Sequence, residues 1–538
     1  MTNSIPPNPG WVVQKYGGTS LGKFPTDIAK IVESSRKAHQ IAVIVSARSG
    51  KIKAQGTTTR LLQAADIAEK VLGKSGRDAF LQIVDNIRQD HLDAARRFIT
   101  SSDLQQRYID FVEEECQSLT RKLGAIQENC EITPMNENRI VCKGELLGAQ
   151  FLVTILEDRG CPAECVDLSD VIREFSITTD VPEIDLYASL ARAFRDRVRS
   201  CKGKVPIITG YFGHLPGGIL RSGSIGRGYS DLTAALVAVG LQSSELQIWK
   251  EIDGIFTADP RKAPTARLLP SITPSEAAEL TFYGSEVINS VAMQQVVRAE
   301  IPIRVLNVMK PSGQGTKIAS SSSTTNTPQK ASGFTLSRGK SLNTTTNTIP
   351  ITSTANTSLK KPTAVTVKRS VILLNVRSNR KISAPGFLSQ VFQTLDAQNL
   401  SAAPIASSEV NVSLGLHSEI PMVHYNTNAA TNTNHTAAAA DGKITIKDKR
   451  LRKAVENLEQ LGDVELRTDM AILSLVGQGL KNMVGISGRF FGVLGEAGIN
   501  VEMISQGASE INISCIICEE DADRALSVVH THLFTFLE

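Results

Sequence analysis

The sequence predicts an α/β protein: a three-layer α/β/α domain around a mainly parallel sheet, followed by two small modules of one repeated plan. Three observations carry that prediction. Residues 11 to about 318 alternate short β-rich runs with helix-length amphipathic segments, the pattern left by strands joined through crossover helices. Residues 319–358 turn to Ser, Thr and Asn, with few side chains able to bury surface, as expected of a flexible linker. Beyond residue 364 a strand-helix-strand plan occurs twice. A chain of 538 residues exceeds one hydrophobic core, so several domains are expected on length alone.

In chain order, the β-rich runs are 11–16, 41–46, 205–209, 246–250 and 303–307, with helices at about 25–37 and 232–240 among them. The first module reads as strand 371–376, helix 386–396, strand 410–416 and helix 447–461, interrupted by a polar, alanine-rich insert at 424–441. The second has strands 471–476, 500–505 and 511–518 around helices 486–497 and 521–534. The division is therefore 1–318, a linker at 319–363, a module at 364–468 with its insert at about 419–442, and a module at 469–538.

Composition narrows the function classes. Hydrophobic residues at 41% and charged residues at 21% are ordinary for a globular protein in water, and no stretch approaches the roughly 18 apolar residues of a membrane span. Residues 1–10 hold three prolines and no basic, apolar, cleavable run, so no leader is visible and the cytosol is the expected compartment. The net charge, 58 − 54 = +4, is small and dispersed, which gives no electrostatic case for nucleic acid. Cys515 and Cys518 have metal-like spacing inside an apolar run. On a strand, positions three apart face opposite ways, so buried thiols are the expectation.

Three segments carry chemistry. Lys15-Tyr16-Gly17-Gly18-Thr19-Ser20 follows a strand and precedes a helix. Paired glycines let amides approach a polyphosphate, and the lysine can neutralise its oxygens. The Walker A spacing is absent, and a plain glycine turn would look similar. Gly223 to Asp231 holds three glycines, Arg227 and Ser230 ahead of an apolar helix, a second anion site in which arginine can grip a carboxylate bidentately. Asp231 reads equally as a helix cap. Glu251 to Arg261 taken alone is an acidic turn with a proline stop.

Taken together, Lys15 to Ser20, Gly144-Glu145, Gly226 to Asp231, Asp253 to Arg261 and Gly284 to Ile288 resemble the catalytic domain of aspartate kinases in the amino-acid kinase superfamily. The tail segments Lys481 to Ile486 and Asn500 to Asn512 resemble the second of the two ferredoxin-like ACT domains of those enzymes, and the insertions look fungal. The resemblance implies ATP-dependent phosphorylation of the β-carboxylate of L-aspartate, with Mg2+ held mostly by phosphate oxygens. It implies that Lys15, Gly17, Gly18 and Thr19 hold the ATP phosphates, with Lys15 and Asp231 as catalytic residues. Phe256, Arg261 and Arg267 would line the nucleotide site. Ser46, Thr59, Glu145, Arg227 and Ser230 would meet the amino acid, Glu145 at its ammonium and Arg227 at its α-carboxylate. The β-carboxylate is itself the nucleophile and needs no general base near neutral pH. A homodimer or larger homo-oligomer and an amino-acid effector are implied too. A kinase for another amino acid, or a non-catalytic sensor with a degenerate kinase domain, are the alternatives; the intact Lys15, Glu145, Arg227 and Asp231 argue against the sensor.

Departures from the family pattern are informative. Relatives commonly have a serine where this chain has Gly148, and His-Pro where it has Asn289-Ser290. In the first ACT module, Ala403 stands where relatives carry an aspartate that helps bind the inhibitory amino acid, and Pro404 follows it. Losing the ionic partner of a ligand ammonium typically costs about 1.5–3 kcal/mol. Feedback by threonine is therefore expected to be weak, as would suit a paralogue supplying a specialised fungal product such as fusaric acid. A threonine titration of the purified enzyme checks this: activity should persist at concentrations well above those that silence a feedback-regulated relative, and ordinary strong inhibition would refute it.

Overall fold

The computed structural model describes residues 10–50, 56–174, 183–213, 228–284, 288–319, 361–378, 386–417, 423–425, 444–507 and 511–535. Most of the expected linker and insert, and Arg227, lie outside these residues.

The first part of the chain runs β1 (Trp11–Tyr16), α1 (Gly18–Lys23), α2 (Pro25–Arg36), β2 (Gln40–Val45), α3 (Thr57–Lys70), α4 (Gly73–Phe98), α5 (Ser102–Asn129), α6 (Pro134–Asp158), β3 (Ala163–Val166), α7 (Glu183–Ser200), β4 (Val205–Thr209), α8 (Tyr229–Leu241), β5 (Glu245–Lys250), β6 (Ser271–Ile272), α9 (Pro274–Phe282), α10 (Ser290–Arg298), β7 (Ile303–Asn307) and β8 (Thr316–Ile318). Its eight-stranded sheet has the order β3-β4-β2-β1-β5-β7-β8-β6. Only the β7/β8 pair is antiparallel; the rest are parallel. The β-rich, nearly continuous apolar runs make such doubly covered strands, because both faces must find a core.

Alternation along β1 divides those cores. Val12 and Tyr16 pack toward α2–α6, with Phe80, Tyr108 and Phe151. Val13 faces α7, α8 and α10, with Phe194, Leu236 and Met293. The three-layer sandwich expected from the alternation is thus present. What the strand pattern did not foretell is the length of the helices before β3, which reach 28 residues in α5.

The second part runs β9 (Ala364–Ser378), α11 (Phe387–Ala397), β10 (Ala402–Ser407), β11 (Asn411–His417), β12 (Val423–Tyr425), β13 (Ile444–Ile446), α12 (Lys449–Leu458), β14 (Gly462–Val476), α13 (Ile486–Glu496), β15 (Met503–Ser505), β16 (Asn512–Cys518) and α14 (Ala522–His530). Six strands form one sheet, β10-β11-β9-β14-β16-β15, and β9 and β14 each span 15 residues through both modules. One core gathers Leu374, Phe387, Val391, Leu414 and Leu451. The other gathers Leu473, Phe490, Leu494, Ile513 and Val529, and it draws Val365 from ahead of the first module. The chain of the first module is therefore inserted between two pieces that complete the second. Cys515 belongs to the second core and Cys518 packs on the opposite face. No helix among the described residues is long and apolar enough to cross a membrane.

The catalytic domain and second module meet at Glu276, the third residue of α9, which is 5% exposed. One carboxylate oxygen accepts from the Thr363 hydroxyl (2.5 Å) and the Gln478 amide (2.9 Å). The other accepts from the Thr273 amide (2.9 Å) and hydroxyl (2.8 Å), closing a capping box. Burial alone would raise this carboxyl's pKa; the four bonds outweigh burial and hold it below the ordinary value. Glu276→Ala is expected to cost about 2–4 kcal/mol, read as a lower urea midpoint. The pair Thr363→Val and Glu276→Ala should cost less than the sum of the single changes.

Candidate active site

Three parallel strands, β2, β1 and β5, deliver their carboxyl ends side by side, and connections depart from them in different directions. That is where open α/β sheets bind ligands. Lys15, the penultimate residue of β1, pairs in register with Ile44 and Ile248 on the face covered by α8. Its ammonium lies 2.7 Å from Asp231 Oδ1, in the first turn of α8, with the two side chains 13% and 11% exposed. Asp231 Oδ2 also accepts the Asn289 backbone N–H at 3.2 Å. Burial pushes the Asp231 carboxyl up, but Lys15, Lys250 and the Asn289 amide overcome this and hold it below its ordinary value. Position in the first helical turn adds a favourable dipole.

Next to this pair, Ser46 Oγ and Ser230 Oγ are 2.8 Å apart, joining the end of β2 to the start of α8. Glu145 projects from α6 into the same strand-end region, 9% exposed. A Cβ on Gly210 would meet Ser230 Cβ at 2.5 Å and Glu145 Oε2 at 3.1 Å, so only glycine lets the three approach. Burial pushes the Glu145 carboxyl up to about 8, although Lys15 and the amides of Tyr211, Ala47 and Gly210 pull the other way. Among the described residues its Oε2 has no hydrogen-bond partner. A buried carboxyl with one unpartnered oxygen at the end of a sheet is equipped to receive a cationic hydrogen-bond donor.

The other expected site residues are distributed as follows. Gly17, the residue ahead of α1, has open space beyond its Cα, whereas a Cβ on Gly18 would lie 2.0 Å from the Ala47 carbonyl. Gly18 is thus required by the crossing of two strand-end loops, and Thr19 follows it within α1. Thr59 stands exposed in the first turn of α3. Phe256 bridges Leu268 within the segment that follows β5. Arg261 is 87% exposed and grips Asp259 with two bonds, 2.8 and 3.0 Å. Arg267 donates to the Phe534 carbonyl at 3.1 Å, toward the C-terminal module. Glu251, at the head of that segment, pairs with Lys23 of α1 at 3.0 Å.

Gly210 and Asn289 were not among the expected site residues. Asn289 caps α10, its Oδ1 accepting from Val291 and Ala292 at 3.0 and 3.3 Å. Asn ahead of a helix start is a capping signal, but nothing local says that its own amide faces Asp231. Gly210 looks like any glycine after a strand.

Residues 10–307 match the amino acid kinase family and residues 473–533 match an ACT domain. The aspartokinase of Schizosaccharomyces pombe is 43% identical over 98% of this chain and 93% of its own length. An aspartate kinase of Gibberella moniliformis is 42% identical over 98% of each. Among solved structures, Escherichia coli aspartokinase III in complex with aspartate and ADP superposes with a TM-score of 0.68 at 26% identity, covering 97% of this chain and 99% of that one. The same enzyme with lysine and aspartate gives 0.64.

Removing one half of the Lys15–Asp231 pair leaves a buried charge alone. Lys15→Ala is expected to lose about 3–5 kcal/mol of stability, while Lys15→Met with Asp231→Asn should lose distinctly less than the two single changes together, which a chemical-unfolding cycle measures. The pair's contribution is present above the unfolded carboxyl value of about 3.9 and is lost as pH falls through the lower folded value. Asp231→Asn should therefore flatten the acid limb of the stability profile.

Proposed function

The chain belongs to the amino acid kinase family and is an aspartate kinase, and from that premise we propose how its own residues carry the reaction. The substrate complex is MgATP, with Mg2+ entering on the phosphate oxygens. Before the nucleotide arrives, Asp231 holds the Lys15 ammonium at 2.7 Å, at the end of β1. A polyphosphate at the Gly17 end of α1 would share that ammonium with Asp231. Lys15 would then stabilise the charge on the transferring γ-phosphoryl group, the main task in such a transfer. Asp231 acts by fixing Lys15, and proton abstraction is not needed because the aspartate β-carboxylate is already ionised. Ser46, Thr59, Ser230 and Arg227 are assigned to the amino acid, with Arg227 on its α-carboxylate. Phe256 and Arg261 are assigned to the nucleotide. The observation that most supports the reading is the buried Lys15–Asp231 pair beside Glu145, at the sheet position where ligands bind.

Amino-acid effectors are assigned to the ACT modules, with threonine a weak one because Ala403 supplies no charge. A homo-oligomer is proposed through the ACT sheet, and the cytosol as compartment. Delivery of aspartyl phosphate to a specialised product is the proposed place in metabolism.

Hydroxamate formation from L-aspartate, ATP and magnesium tests the reaction, with Lys15→Ala expected to lower turnover by about 100-fold or more. Glu145 supplies a second test. Burial pushes its carboxyl up to about 8, and only the ionised form attracts an ammonium. The KM for aspartate should therefore fall as pH rises from 6 toward 8, approaching about tenfold per unit at the acid end, and level off above. In Glu145→Gln the KM should be high and nearly independent of pH across that range.

A further inference from the structure

The segment that follows β5, residues 251–269, starts beside α1 through Lys23–Glu251 and contains Phe256. Ile255 and Leu269 pack on a core of the catalytic domain, whereas Ala258 and Ala263 are buried in the core of the second ACT module. Two methyl-sized side chains bury little area, so on the side that faces this module polar contacts must fix the segment. Those contacts converge on Thr257. Its N–H donates to the Arg267 carbonyl (2.9 Å), its carbonyl accepts from the Val365 amide of β9 (2.8 Å), and its hydroxyl accepts from the Arg267 amide (2.9 Å).

The remaining hydroxyl contact is His530 Nε2, at 2.8 Å, from the last residue of α14. The other ring nitrogen, Nδ1, lies 3.1 Å from the Thr265 hydroxyl. One fully buried imidazole thus spans both sides of the segment. Phe534 stacks on it at 4.9 Å and 5°, and the Phe534 carbonyl accepts from Arg267. A neutral imidazole has one donor and one acceptor, which suits this fork. The Thr257 hydroxyl accepts from the Arg267 amide and keeps its hydrogen to donate to Nε2; in the tautomer with the ring proton on Nδ1, that nitrogen donates to the Thr265 hydroxyl. Burial, and secondarily the Arg267 charge, lower the His530 pKa and keep the ring neutral. No helix-forming or core-filling requirement of α14 calls for a histidine there.

We infer that His530 is a positioning residue for nucleotide binding: from the regulatory module it clamps Thr257 and Thr265, and so sets the backbone that carries Phe256 at the edge of the phosphate site. This rests on the assignment of Phe256 to the nucleotide proposed above. A shift of α14 relative to the catalytic domain would be felt first at Thr257, one residue from Phe256, and the aspartate-facing cluster of Ser46, Glu145 and Ser230 would not share the disturbance.

The test uses the full chain and measures kcat, the KM for ATP and for aspartate, ADP affinity by calorimetry, and thermal midpoints. His530→Phe preserves the ring stack and removes both hydrogen bonds. It should raise the KM for ATP and the Kd for ADP about tenfold, with the KM for aspartate unchanged within about twofold. His530→Gln, which restores a donor and acceptor near the Nε2 position, should recover most of the loss. Thr265→Val alters an exposed position and carries the test should His530→Phe not fold; it should raise the KM for ATP about threefold. Parallel changes in both KM values, or unchanged nucleotide affinity with only a lower thermal midpoint, overturn the inference and leave the aspartate kinase assignment standing. A wild-type chain that neither binds ADP nor phosphorylates aspartate overturns both.

Discussion

Two opposite charges buried 2.7 Å apart at the end of a parallel sheet impose conditions on everything around them. Lys15 can reach Asp231 only because β1 lies at the middle of the sheet and α8 starts directly over its carboxyl end. The cost of burying the two ions is offset by their attraction and by the further bond from the Asn289 amide, since a buried pair is tolerated only when its remaining lone pairs are satisfied. Gly228, at φ +100°, turns the chain into α8. A Cβ there would come within 2.7 Å of the Asn289 side chain, so the glycine and the asparagine are matched. The charge balance of this corner is thus set by the fold's own residues, and the Lys15 ammonium is held at a fixed place at the end of β1.

The regulatory half obeys a different constraint. Its two modules share β9 and β14, so neither can rotate without bending strands that belong to the other. The register shifts between Arg467 and Ile472 mark where the shared ladder bends from one module into the next. Through Glu276, Thr257 and the ion pair Lys262–Asp523 (2.6 Å), the second module is fastened to the catalytic domain, while Arg369 of β9 reaches the same carboxylate at 2.6 Å from within the C-terminal sheet. The first module is therefore connected to Thr257 of the catalytic domain through β9, whose Val365 amide donates to the Thr257 carbonyl, a physical route along which a displacement can be passed.

How much of this the chain reveals by itself follows from the range of the interactions. The five main parallel strands and the helix that carries Asp231 are local in origin, set by apolar runs of strand or helix length; the strands could be read to within a residue, while the helix starts at Tyr229, three residues ahead of its apolar run. The short strands β3, β6 and β8 have too few residues to make a periodic signal. The insertion of one module into the other was hidden because a strand's sequence does not name its partner: Val365 looks like the start of the first module, yet its side chain completes the second. At the site, Lys15, Glu145 and Asp231 stood out through resemblance and chemistry, whereas Gly210 and Asn289 act through backbone approach, which composition cannot show. His530 was invisible for the same reason, as its partners lie 273 and 265 residues away.

The departures from the family pattern near the site become intelligible in these terms. Asn289 supplies Asp231 with a backbone N–H, and any residue except proline can do that; its side chain is occupied in capping α10. Ser290, where relatives have proline, is the first residue of that helix, a position at which proline is favourable but dispensable because its N–H is not part of the ladder. Gly148 in α6 faces Leu21 and the Ser46 carbonyl, both 3.2 Å from where a Cβ would be. A serine could fit there only if those neighbours gave by a few tenths of an ångström. The glycine instead lets α6 settle against the end of β2, next to the point where Glu145 enters the site. None of the three substitutions alters a charge of the Lys15–Asp231 pair or the Glu145 carboxyl, and the one contact among them, from Asn289 to Asp231, is made by the backbone, so this site keeps its charges while the sequence around them varies.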